Sequence, residues 1–103
     1  MTPTMERVIF KPLPGTSDDD LLAAAEKTSD WLKAQPGFGY RTMIKEEDGR
    51  WADLVFWMDA ENSQSANTAF GAAPENAEYL ALIQMDSVQM TSHPQRLAAM
   101  AGG

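Results

Sequence analysis

The sequence predicts an α+β domain, and three observations carry the prediction. Strand-like and helix-like segments follow one another in the order strand, helix, strand, strand, helix, strand. The two consecutive strands in the middle flank a tight turn and must therefore run antiparallel. Both helical segments are apolar on one side only, so each needs a sheet face to cover.

Residues 5–11 (MERVIFK) are short and rich in β-branched and aromatic residues, which marks the first strand. Pro12, Pro14 and Gly15 then break regular structure. Ser17 and the run Asp18, Asp19, Asp20 announce a helix. Their side chains can cap free N–H groups, and three carboxylates suit the positive end of the helix dipole. Leu21, Ala25 and Leu32 form its apolar stripe at a period near 3.6 residues, and Pro36-Gly37 stops it soon after Ala34.

Residues 38–46 form the second strand, and Glu47-Asp48-Gly49-Arg50 the turn that leads into the third at 51–59. On the third strand Ala52, Leu54, Phe56 and Met58 make one uniformly apolar face. Trp51, Asp53, Val55 and Trp57 make the other. Asp59 can cap a second helix reaching about Phe70. Gly71 to Ala73 interrupts it, and Pro74 suits the first turn of a resumed helix ending near Leu82. Residues 83–91 form the fourth strand, with Met85, Ser87 and Gln89 facing one way and Asp86, Val88 and Met90 the other. Residues 92–103 are expected to be a frayed tail.

This order is the ferredoxin-like βαββαβ arrangement: a four-stranded antiparallel sheet with both helices on one face. At 103 residues the chain makes one domain, with a core expected over about residues 5–91. The clean apolar face, Ala52 to Met58, is expected under the helices. Trp51, Val55 and Trp57 are then too apolar for the wet side of a sheet. A second copy of the chain would cover them, and the two sheets would enclose a barrel-like chamber. Five of the nine aromatics, Phe38, Tyr40, Trp51, Phe56 and Trp57, fall on this hairpin.

Fifteen acidic against eight basic residues give a formal net charge of −7. Phosphate contacts need a basic face, so nucleic acid is not an expected partner, nor is an anionic membrane surface. The absence of cysteine excludes disulfides and thiolate chemistry. No signal-like start and no long apolar run is visible, so the expectation is a cytoplasmic protein with no membrane partner.

With these features the chain resembles the dimeric α+β barrel proteins, and among them the antibiotic-biosynthesis-monooxygenase-like domains. Pro36-Gly37-Phe38 after the first helix carries the likeness, with the Gly49 turn and Trp57 near the end of the third strand, before a polar, alanine-rich helix. The likeness spans roughly residues 5–91. It implies a homodimer in which a small aromatic or quinol-type molecule is oxidised without a cofactor. The same fold also serves haem-degrading enzymes, but those need an axial ligand. The second helix, with its stretch ENSQSANTAFG, holds no histidine. The rival expectation is a non-catalytic homodimeric module that binds a small ligand.

On this reading Asp53 and Tyr40 are the candidate catalytic residues. A carboxylate among apolar walls can act as base or acid, and a phenol can hydrogen-bond a carbonyl. The competing reading pairs Asp53 with Arg41 or Arg50 across the hairpin. Trp57, Trp51, Phe38 and Asn67 are the candidate substrate-binding residues, the aromatics by stacking on a flat ring, with core packing as their alternative. Asn62 and Asn67 are both polar residues of the second helix, and spacing favours neither. His93, the only histidine, reads as a solvated tail residue. No metal site is expected, because the aspartate run starts a helix and no cysteine or second histidine is present.

Overall fold

The computed structural model describes residues 2–102. Strand β1 spans Thr4–Pro12, helix α1 Asp18–Lys33, β2 Phe38–Lys45, β3 Trp51–Trp57 and helix α2 Ala60–Phe70. A 3-10 turn over Pro74–Asn76 leads into the short helix α3, Ala77–Ala81, and β4 runs Ile83–Pro94. The four strands form one antiparallel sheet in the order β2-β3-β1-β4. The ferredoxin-like α+β fold is therefore the fold of this chain.

The expected caps are in place. Ser17 accepts a hydrogen bond from the Asp20 N–H at 3.0 Å, and Asp59 accepts one from the Asn62 N–H at 2.8 Å. Asp59 thus starts α2 instead of ending β3. At the Pro36-Gly37 stop Gly37 has φ +78°, and a Cβ there would collide with the Asn62 side chain. A glycine is required by conformation and by space at the point where β2 leaves α1 beneath the start of α2.

The two faces of the sheet are the reverse of the expected ones. Trp51, Asp53, Val55 and Trp57 lie under the helices. One core cluster joins Trp51 to Phe10, Leu21, Ala24, Tyr79 and Ile83. A second joins Trp57 and Val55 to Leu32 and Ala66. The register explains the choice. Phe10 pairs with Trp51 and Val8 with Asp53, so the side of β1 carrying Phe10 adds to the indole side of β3. Together they make the deeper apolar surface, which a helix layer covers. The opposite face carries Met5, Ile9, Leu54 and Phe56, with Tyr40 and Ile44 more than 40% exposed.

Strand β4 reaches three residues beyond its expected end. Thr4, Met5 and Glu6 pair with Pro94, His93 and Ser92, so His93 belongs to an edge strand and not to a frayed tail. Pro94 is tolerated there because it closes an edge strand. Between Ile9 and Lys11 the register on β4 jumps from Gln89 to Gln84. The Ser87 hydroxyl holds this bulge, accepting from the Lys11 N–H at 2.8 Å and donating to the Gln84 carbonyl at 2.6 Å. The bulge breaks the expected alternation along β4 and re-aims its side chains.

Candidate functional site

A cavity of about 250 Å³ lies between the sheet and the helices of the single chain. It is not a chamber between two sheets, as the expected face assignment had required. Val8 and Val55 form its floor, and Leu32, Ala66, Phe70 and Leu80 come from the helical side. The bulged strand β4 adds Met85, Val88 and Met90, of which Met85 and Met90 are exposed at the rim. The polar groups in this apolar wall are Glu6, Arg41, Asp53, Asn67 and Tyr79.

Three of them form one fixed cluster. Arg41 on β2 binds Asp53 on β3 in bidentate fashion, Nε to Oδ1 at 2.9 Å and Nη2 to Oδ2 at 2.6 Å. Their side chains are only 5% and 8% exposed. The remaining Arg41 nitrogen, Nη1, donates to the Ala25 carbonyl at 2.8 Å and to Ser29 Oγ at 2.9 Å, and also to Thr28 Oγ1. The Tyr79 hydroxyl of α3 donates to Asp53 Oδ2 at 2.8 Å, and the guanidinium lies over the Tyr79 ring. Burial opposes the Arg41 charge, but the hydrogen bonds and charge of Asp53 outweigh it and raise its pKa above the ordinary arginine value. Burial, reinforced by the nearby Asp53 charge, pushes the Tyr79 phenol far up, so it stays a neutral donor.

Glu6 stands apart from this cluster. It is 5% exposed, on the cavity side of β1, and has no cationic partner within 4 Å among the described residues. Ser63 Oγ donates to its Oε2 at 3.2 Å, and Asn67 Nδ2 donates to the same oxygen. Burial raises its pKa above 4.5; the hydrogen bonds from Asn67 and Ser63 offset part of the rise, and the Asp53 charge adds to it.

Of the residues expected at the site, Asp53 and Asn67 line the cavity. Tyr40 does not: it is 60% exposed on the open face of the sheet, tilted against Phe56. Trp57 sits behind the wall, packed on Val55, Leu32 and Ala66, and its buried indole N–H meets no acceptor among the described residues. Trp51 belongs to the other core cluster, and Phe38 packs edge-on against Trp57 with centroids 5.7 Å apart. Glu6, Arg41 and Tyr79 complete the site. In the sequence Glu6 differs from a solvent-facing glutamate only in sharing the Val8–Phe10 side of β1, a signal that acquires meaning once the covered face is known.

No family model matches the chain, and no curated protein matches it in sequence. Solved structures match its fold. SnoaB, a cofactor-independent oxygenase from Streptomyces nogalater, superposes with a TM-score of 0.76 at 17% identity, over 95% of this chain and 97% of its own. A Bordetella bronchiseptica protein assigned as an antibiotic biosynthesis monooxygenase gives 0.74 at 14% identity, over 94% and 100%. A dimeric ferredoxin-like protein of unknown function from Jannaschia sp. CCS1 gives 0.66 at 13%, over 87% and 96%. The chain thus has the fold of the antibiotic-biosynthesis-monooxygenase-like dimeric α+β barrel proteins.

Proposed function

We propose that the protein is a cytoplasmic, homodimeric oxygenase of the monooxygenase type, working without a cofactor on a small aromatic or quinol-type molecule. The observation that carries this reading is the cavity: an apolar chamber inside one subunit with two buried carboxylates in its wall. Its volume of about 250 Å³ lies just below the roughly 300–1,000 Å³ of drug-sized sites, which points to a substrate of one or two rings. Sharing its fold with a cofactor-independent oxygenase supports the reading further.

In the proposed chemistry an activated ring CH2 loses a proton to a buried carboxylate, and the electron pair stays on the substrate. The resulting anion reduces O2. The CH2 carbon becomes C=O, one oxygen atom enters the product, and the other leaves as water with the two hydrogens. The protein supplies orientation and a dry, shaped space. Asp53 anchors Arg41 and Tyr79 and so fixes one wall, Asn67 orients Glu6, and Trp57 with Phe38 backs the wall from behind. Tyr40 and Phe56, on the open face, meet the partner subunit.

The test is oxygen uptake with a panel of one- and two-ring quinols and activated ketones, beside tryptophan-fluorescence binding. Val88→Phe, which fills the cavity from β4, is expected to abolish both. Saturable binding without oxygen uptake across the panel sinks the oxygenase and leaves a ligand-binding module. One observation favours that second reading: the nitrogens of Arg41 and the oxygens of Asp53 are engaged within the protein.

A further inference from the structure

We propose, resting on the reading of this cavity as a reaction chamber, that Glu6 is the group that takes the substrate's proton. The substrate is then a compact carbon acid or quinol. The argument starts from the two carboxylates available. Both Asp53 oxygens accept from Arg41, and Oδ2 also accepts from Tyr79. A proton arriving on Asp53 would break a buried bidentate ion pair, whose loss is expensive. Glu6 is built differently. Ser63 and Asn67, one helical turn apart on α2, both donate to Oε2. Among the described residues no hydrogen bond from the protein reaches Oε1. One oxygen is clamped and the other is left to the cavity that Glu6 lines.

Charge favours the same assignment. The titratable or charged groups in the cavity wall with Glu6 are Asp53, Arg41 and Tyr79. Arg41 is committed to Asp53, and Tyr79 is neutral. Helix α2 offers Glu6 only the neutral Ser63 and Asn67, and β4 has Ser92 opposite it in register. A carboxylate buried without a counter-ion binds a proton more readily than one in water, which makes it the stronger base.

The step balances within the cavity. The C–H bond of an activated methylene breaks, an O–H bond forms at Oε1, and the electron pair stays on the substrate as an enolate. For a quinol the O–H bond breaks and the pair stays as a phenolate. Negative charge passes from Glu6 to the substrate, so the cavity's total charge does not change and no ion has to enter from water.

Hydrogen exchange under argon isolates this step from oxygen chemistry. The probe is 2-tetralone, a two-ring ketone with an acidic ring methylene, in D2O, followed by NMR. The wild type is expected to accelerate exchange, with a rate that rises with pH through the Glu6 titration and then levels. Glu6→Gln keeps the shape and removes the base. It is expected to bind 2-tetralone as the wild type does, by tryptophan fluorescence, and to lose about 100-fold or more in exchange, without the pH-dependent rise. Exchange at the wild-type rate in Glu6→Gln overturns the proposal, as does a wild type that binds the ketone and leaves its exchange at the solution rate. Oxygen uptake separates the two readings. Exchange without oxygen uptake overturns the oxygenase and leaves Glu6 as the base. Oxygen uptake that survives Glu6→Gln overturns the role of Glu6 alone.

Discussion

Arg41 ties α1, β2, β3 and α3 together through one side chain, and that geometry sets a measurable expectation. Arg41→Ala leaves Asp53 buried and uncompensated, and is expected to lower stability by about 3–5 kcal/mol, read as a shift in the urea midpoint. Glu6 makes the opposite kind of contribution. Its pKa is higher in the folded chain than the ordinary 4.5, so the folded state holds the proton more tightly than the unfolded one. The stability from that proton is fully present below 4.5 and is lost as pH rises through the folded value. Glu6→Gln has no such loss. Its melting temperature should therefore match the wild type in acid, where both side chains are neutral, and exceed it by a margin that grows as pH rises through the folded value and then levels. A wild type that gains on Glu6→Gln as pH rises contradicts the placement of this carboxylate.

Among the elements, the α1–β2 junction is the most constrained by sequence. Gly37 and Gly49 both have positive φ, yet only Gly37 has a side chain in the space a Cβ would take. Gly49→Ala should cost about 1–2 kcal/mol, the conformational term alone. Gly37→Ala should cost more, because Asn62 must also move. Urea unfolding of the two variants side by side measures the difference; equal losses would mean that Asn62 gives way freely. The β4 bulge is the other informative element. It brings Met85, Val88 and Met90 to one cavity, which strict alternation would forbid for Met85 together with Met90.

For the molecule as a whole, the open face of the sheet is the feature that lacks a cover. Met5, Leu54, Phe56, Tyr40 and Ile44 share it with Arg7 and with a buried Ile9 and Ala52, and Tyr40 and Ile44 are exposed; apolar surface of this kind marks interfaces. The wild type is expected to sediment at twice 11.3 kDa at micromolar concentration, and Leu54→Lys combined with Phe56→Lys at 11.3 kDa. A wild type that sediments as a single chain sinks the homodimer. The catalytic reading survives that result, because the cavity lies within one subunit.

The sequence by itself determined the order of the elements, both helix caps, the Gly37 stop and the Gly49 turn. Each is a local effect of a few neighbouring residues, which is why it is legible without the fold. It also placed Asp53 and Asn67 among residues worth watching, and it raised Arg41 as a partner for Asp53. Tertiary structure decided which face of β3 the helices cover. Alternation separates two faces but does not say which is up, and here both were apolar enough to be buried. That one choice moved the cavity from between two sheets to beneath the helices, sent Tyr40 to the open side, and put Trp57 behind the wall. It also turned Glu6 from an ordinary strand glutamate into a buried carboxylate held by α2, since only the packing of a helix 57 residues away along the chain supplies its partner Ser63.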